Sequence, residues 1–182
     1  RMEDAVHQVV QDAPSQLQML FSLSNSNELL FADYVLLTEG KTEWRVLPAL
    51  FERLTGQSFA LIKCALVRQG GVSNTRKSMQ VLKAMYMQVR AIVDLDYALT
   101  NSTRDGFLDP NDPDIKYCKD LFRELAFRQH LRLVNGIPVS KHSGIPASKA
   151  YSMMAAMPEA ERPIRSIHAT LRHHGIWLWT KG

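Results

Sequence analysis

Two apolar runs that end in carboxylates constrain this chain more than any other feature. Tyr34-Val35-Leu36-Leu37-Thr38 is closed by Glu39-Gly40, and the run 89–93 is closed by Asp94-Leu95-Asp96. Short continuous apolar runs with polar or turn residues behind them read as strands buried on both faces, as in parallel sheets. A carboxylate at the exit of such a strand is costly to ionise without a compensating charge. Between the two runs, residues 42–54 carry Val46, Leu47, Leu50, Phe51 and Leu54 at helical spacing, and Gly56 supplies a stop. Residues 59–67 read as a further strand, and after Gly70-Gly71 a helix is expected over 74–86. Strand, helix, strand, helix, strand predicts right-handed crossovers and a mainly parallel sheet, an α/β fold.

The remainder is mostly helical. Residues 99–113, rich in Asn, Asp, Gly and Pro, read as a long loop. A helix follows with Ile115, Leu121, Phe122, Leu125 and Phe127 on one side, ending near Gln129. A loop containing Gly136, Pro138, Gly144 and Pro146 precedes two helices over 148–157 and 160–173, and 175–180 reads as a last strand, with Trp177 and Trp179 packing on one face. The expected organisation is a helical flank over 1–30, a core over 31–98, a mainly helical insertion over 99–174 and a last core strand over 175–182.

Composition removes several classes of answer. A chain of 182 residues is long enough for one proper core, and 46% hydrophobic with 22% charged residues excludes disorder. The apolar stretches are too short to span a bilayer, and no signal peptide opens the chain. Cys64 and Cys118 are too few for a metal tetrad and imply no oxidising compartment, so a cytoplasmic location is expected. The missing initial Met, and an end directly after an apolar run, suggest a piece of a longer protein.

The carboxyl ends of parallel strands form the ligand crevice of an open sheet. Glu39 sits at one such end, Glu43 in the opening turn of the next helix, and Asp94 and Asp96 at another end, two residues apart and so on one side if the strand continues. Carboxylates gathered in this way suit hard divalent cations, and a pair of ions can clamp the attacking and leaving oxygens of a phosphodiester. Plainer roles exist for each acid taken singly: Glu43 as a partner of the helix dipole, and Asp94-Leu95-Asp96 as a turn or cap.

Residues 31–43, Phe-Ala-Asp-Tyr-Val-Leu-Leu-Thr-Glu-Gly-Lys-Thr-Glu, followed by Val93-Asp94-Leu95-Asp96, closely resemble a Toprim domain, the metal-binding module of topoisomerases, bacterial primases and several nucleases. The form with Phe-Ala before the strand and Glu-Gly-x-Thr-Glu after it resembles the OLD (overcoming lysogenization defect) nucleases. The resemblance covers 30–98 and resumes in the final strand. It implies that Glu39 is the Toprim glutamate, a metal ligand and proton carrier, that Glu43 helps to hold a second ion, and that Asp94 and Asp96 are the paired aspartates. The implied cofactors are two divalent cations, Mg²⁺ or Mn²⁺. An ABC-type ATPase domain of the same full-length protein is the implied intramolecular partner, and dimerisation through that part is expected. Relatives of this kind carry a basic residue near the site, for which Lys181 is the candidate, and an acid just beyond the last strand, which is expected past Gly182.

Gly40-Lys41-Thr42 imitates the tail of a phosphate-binding P-loop, but Val35 occupies the place of its first glycine, so nucleotide binding there is rejected. Lys41, Arg68, Arg76 and Lys77 lie near strand ends and are candidate contacts to DNA phosphates. Lys141, His142, Lys149, Arg162, Arg165, Arg172, His173 and His174 make the insertion basic as well. The function expected is a metal-dependent DNA endonuclease that nicks or cleaves phosphodiester bonds. Alternatives are a non-catalytic Toprim module for DNA binding or assembly, and a haloacid-dehalogenase-like phosphatase built on Asp94 and Asp96.

Overall fold

A computed structural model describes residues 26–69, 71–139 and 144–180. The N-terminal flank up to residue 25, and Gly70, Lys141, His142, Lys181 and Gly182 among the residues singled out above, lie outside the described residues. The chain divides into two compact units, Arg1–Val93 and Asp94–Gly182.

In the first unit a short helix α1 (Ser26–Leu30) leads into β1 (Tyr34–Thr38). Strand β1 lies between β2 (Cys64–Arg68) and β3 (Gln88–Asp94) and runs parallel to both. The connections are α2 (Lys41–Thr55) and α3 (Thr75–Ala84), the latter preceded by a 3-10 turn, Val72–Asn74. Thr38 is opposite Arg68 on one side and Ile92 on the other, so the three strands finish at one edge of the sheet. Val35, Leu37, Ala65, Leu66, Val67, Met79 and Leu82 fill the core of this unit. The α/β class and the parallel, helix-flanked sheet are as expected.

Three details differ from expectation. Strand β2 starts at Cys64, because its pairing with β1 starts there, opposite Tyr34. Residues 59–63 are instead curled into turns, with Lys63 N–H donating to Ala60 O at 3.1 Å and Lys63 at φ 50°. Strand β3 is covered on one face: Val89, Ala91 and Val93 are buried while Gln88, Arg90 and Asp94 are exposed. Helix α2 has the expected apolar stripe but buries no residue, and Val46, Leu50 and Leu54 are exposed. Periodicity identifies an apolar face and leaves open what covers it. The helix stops as expected at Gly56, whose φ of 70° suits glycine and whose N–H bonds Glu52 O at 2.8 Å.

In the second unit, two short helices, α4 (Leu95–Leu99) and α5 (Asn101–Arg104), stand where a loop was expected to begin. A buried hydrogen bond from Tyr97 Oη to Asp105 Oδ2, at 3.0 Å, and one from Ser102 Oγ to Ala98 O, at 2.5 Å, organise this stretch. Helix α6 (Pro113–Arg128) is capped by Asp112, which accepts from the N–H groups of Asp114 and Ile115. It packs against α7 (Ala147–Ala155) and α8 (Pro158–His173) through Ile115, Cys118, Leu121, Phe122 and Leu125. Phe127, expected on that side, is 95% exposed: five residues past Phe122 it is turned about 140° around the helix.

Between α6 and α7 a two-residue hairpin joins β4 (Leu133–Val134) to β5 (Ile137–Pro138) through Asn135 and Gly136, both at positive φ. The Asn-Gly pair is the usual signal for this turn, and the hairpin stands where a plain loop is expected. The last strand, β6 (Ile176–Trp179), buries Ile176 and Leu178 and leaves Trp177 and Trp179 half-exposed, so the aliphatic face rather than the tryptophan face is the packed one. Among the described residues no helix is long and apolar enough to cross a membrane.

Candidate functional site

At the carboxyl edge of the first unit, Glu39 directly follows β1 and is half-buried. Gly40 opens α2, and its N–H donates to Glu43 Oε2 at 2.9 Å. The helix-terminus role considered for Glu43 is therefore realised: this carboxylate satisfies an N–H that the helix itself leaves open. A Cβ on Gly40 would sit 2.9 Å from the same oxygen, so the close approach depends on glycine there. Lys41, the first helical residue, is exposed.

Arg68 ends β2 half-buried, and the loop after it is fixed by Gln69, which sequence reasoning missed. Gln69 is wholly buried: its N–H donates to Thr38 O at 3.0 Å and its Nε2 to Thr75 Oγ1 at 2.9 Å, while its carbonyl accepts from Asn74 Nδ2 at 3.3 Å. These bonds tie the start of α3 to the end of β1. Arg76 and Lys77 lie in the first turn of α3, exposed, with Ser78, Met79, Val81 and Leu82 buried behind them.

In the second unit, Asp94 is exposed and is the N-cap of α4, while Asp96 lies in the first turn of that helix. The two-residue strand spacing expected to align them does not apply, because β3 ends at Asp94 and the helix takes over at Leu95. Both acids nevertheless line one cavity of about 290 Å³, with Ser148 and Tyr151 of α7 and with Trp179 and Thr180 at the end of β6.

Burial pushes the Asp96 carboxyl above its ordinary range, partly opposed by a backbone hydrogen bond from Tyr97. Its Oδ1 is buried with no hydrogen-bond partner. Burial, and then the charge of Asp96, push the Tyr151 phenol up as well, and its hydroxyl is also buried without a partner. No pattern in the sequence singles out Tyr151; it reaches this cavity through the packing of α7.

Among the described residues no three His, Cys, Asp or Glu side chains stand together closely enough to hold a metal ion. The donors present fit one in kind, since a carboxylate oxygen removed from water and left without a donor is the ligand a hard cation prefers. A second cavity, of about 920 Å³, lies in the first unit against Phe31, Trp44, Pro48, Phe59 and Leu66, and no residue expected in the site lines it. On the helices of the second unit Lys149, Arg162, Arg172 and His173 are exposed, as is His174 just past the end of α8, and Arg165 pairs with Glu161 at 2.6 Å.

A sequence profile of the "overcoming lysogenization defect protein-like, TOPRIM domain" family matches residues 30–96. Over 181 residues, the whole chain, the sequence is 26% identical to the Old nuclease of Escherichia phage P2, and it spans 31% of that protein's length. No solved structure matches significantly. The matched segment contains the three parallel strands β1, β2 and β3 and carries Glu39 and Glu43 near its start and Asp94 and Asp96 at its end. Residues 30–96 are an OLD-like Toprim domain.

Proposed function

We propose that this chain is the catalytic part of a nuclease that cleaves DNA phosphodiester bonds with two divalent cations, Mg²⁺ or Mn²⁺, held by Glu39, Glu43, Asp94 and Asp96. The observation that carries the reading is the buried Oδ1 of Asp96, without a hydrogen-bond partner, in a cavity shared with Asp94. Two carboxylates beside one cavity select a hard cation over a neutral guest. The name of the phage P2 relative, a nuclease, and the Toprim profile support the same chemistry.

When bound, such ions polarise the phosphoryl oxygens and make a coordinated water acidic. The chain's own residues do the rest. Asp94 and Asp96 anchor the cations from the end of β3 and the start of α4. Glu39, at the end of β1, takes up the proton released at the attacking oxygen. Glu43 keeps one oxygen on the Gly40 N–H and offers its carboxylate from a fixed helix terminus. Lys181 stabilises negative charge at the reacting phosphate. Lys41, Arg68, Arg76 and Lys77 grip neighbouring backbone phosphates without reading bases. The setting is cytoplasmic, with an ATPase portion of a longer chain as partner.

The test is plasmid nicking by the whole chain, with Mg²⁺ or Mn²⁺ against chelator. Cleavage is expected only with metal, and Asp94→Ala/Asp96→Ala should lower the rate about a thousandfold, the scale of several kcal/mol of lost charge stabilisation. Undiminished cleavage by the double variant overturns the proposal. DNA binding should weaken steeply with salt, and a flat response removes the basic residues from the interface.

A further inference from the structure

The cavity beside Asp94 and Asp96 has two chemically different walls. One carries the acids. The other carries donors: α7 opens at Ala147 behind Pro146, no side chain caps its first N–H groups, and no acidic residue occupies its first turn. Ser148 in that turn and Tyr151 three residues on line the cavity. Tyr151 is 9% exposed, its ring packed edge-on against Phe122 with centroids 5.0 Å apart, and its buried hydroxyl finds no acceptor. A buried donor left in this state costs free energy until an acceptor arrives.

Asp96 does not fill that role, since its own Oδ1 is buried and equally without a partner. A donor and an acceptor therefore line one cavity and do not meet. The guest that satisfies both has acceptor oxygens on one side and positive charge on the other. A bare cation would satisfy Asp96 and leave Tyr151 and the helix N–H groups unanswered. A bare anion would suit the helix terminus and Tyr151 but meet two carboxylates. A phosphate accompanied by a cation answers every group, and the half-exposed Trp179 adds an aromatic face beside it, of the kind on which a sugar or base can rest.

We propose that this cavity is a nucleotide subsite: a backbone phosphate of the bound strand accepts hydrogen bonds from the first turn of α7, Ser148 and Tyr151, while Asp94 and Asp96 face its cation. The inference rests on the metal-dependent reading above and names which residues receive the substrate. Ser148 and Tyr151 are binding residues, and their contribution is separable from metal uptake.

Calorimetry on the whole chain tests this, with Mn²⁺ titrated first and then thymidine 5′-monophosphate or inorganic phosphate. The nucleotide should bind only after Mn²⁺, and more tightly than inorganic phosphate. Tyr151→Phe keeps the ring against Phe122 and should weaken the nucleotide about tenfold with Mn²⁺ affinity unchanged. Ser148→Asp places a carboxylate where a helix N-terminus tolerates one, so the fold is safe, and it should abolish nucleotide binding. Parent-like nucleotide affinity in both variants, with Mn²⁺ still bound, overturns the subsite alone. Inorganic phosphate binding as tightly as the nucleotide overturns the assignment to a nucleic-acid strand. Absence of Mn²⁺ uptake by the parent overturns the metal reading, and the subsite with it.

Discussion

The cavity of about 920 Å³ in the first unit and that of about 290 Å³ in the second differ more in lining than in size. The larger is walled mainly by Phe31, Trp44, Pro48, Phe59 and Leu66, beside a helix α2 that buries no residue. The smaller brings together two carboxylates, a phenol and aliphatic hydroxyls, with Asp96 Oδ1 and Tyr151 Oη both lacking partners. Volume here measures apolar surface left uncovered, while unanswered polar atoms mark where a ligand would gain most. Convergent polar groups locate the candidate site, and size does not.

The contrast breaks most easily at the level of rate. If the smaller cavity holds the chemistry, Trp44→Ala should leave metal-dependent plasmid nicking within about twofold, against the roughly thousandfold loss expected for Asp94→Ala/Asp96→Ala. An equal loss in Trp44→Ala would bring the larger cavity into the reaction. The two regions should also differ in stability. Phe122→Ala, in the closed core of the second unit, should cost about 3 kcal/mol in denaturant unfolding. Leu54→Ala, at 82% exposure on α2, should cost less than about 0.5 kcal/mol.

Alkaline pH sharpens the same difference. Cys118 is fully buried in the second unit, and burial, with Asp114 and Asp112 nearby, pushes its thiol from 9.0 up to about 12. The folded state thus favours the protonated thiol. Its stabilising contribution is whole below pH 9 and is lost as pH rises toward 12, at about 1.4 kcal/mol per unit. Parent stability should fall more steeply between pH 9 and 11 than that of Cys118→Ala; parallel slopes would refute it. The smallest loss expected among the site variants belongs to Gly40→Ala. The new methyl group displaces Glu43 from the Gly40 N–H, which should slow cleavage about fivefold with an unchanged melting midpoint. An unaltered rate would leave Glu43 a helix cap and no more.

Much of this was legible along the chain. The runs at 34–38 and 89–93, the stripe of α2 with its Gly56 stop, and the spacing of α6 are local patterns, and the structure realises each of them as an element. The acids Glu39, Glu43, Asp94 and Asp96 stood out because each follows a strand or opens a helix. Gln69 and Tyr151 did not stand out. A lone Gln before a Gly pair and a Tyr inside a helix carry no periodic or compositional mark, and their importance comes from residues that the fold brings to them, Thr38 and Thr75 for Gln69 and Asp96 for Tyr151.

The sequence by itself determined the α/β class, the order of the longer elements and the carboxylates at the strand ends, because backbone preference and hydrophobic period act within a few residues. Only the tertiary structure decided that α2 keeps its apolar stripe uncovered, that Asp96 belongs to a helix and not to a strand, and that Tyr151 shares its cavity. Burial and hydrogen-bond satisfaction depend on what the rest of the chain brings to a residue, and no local window contains that.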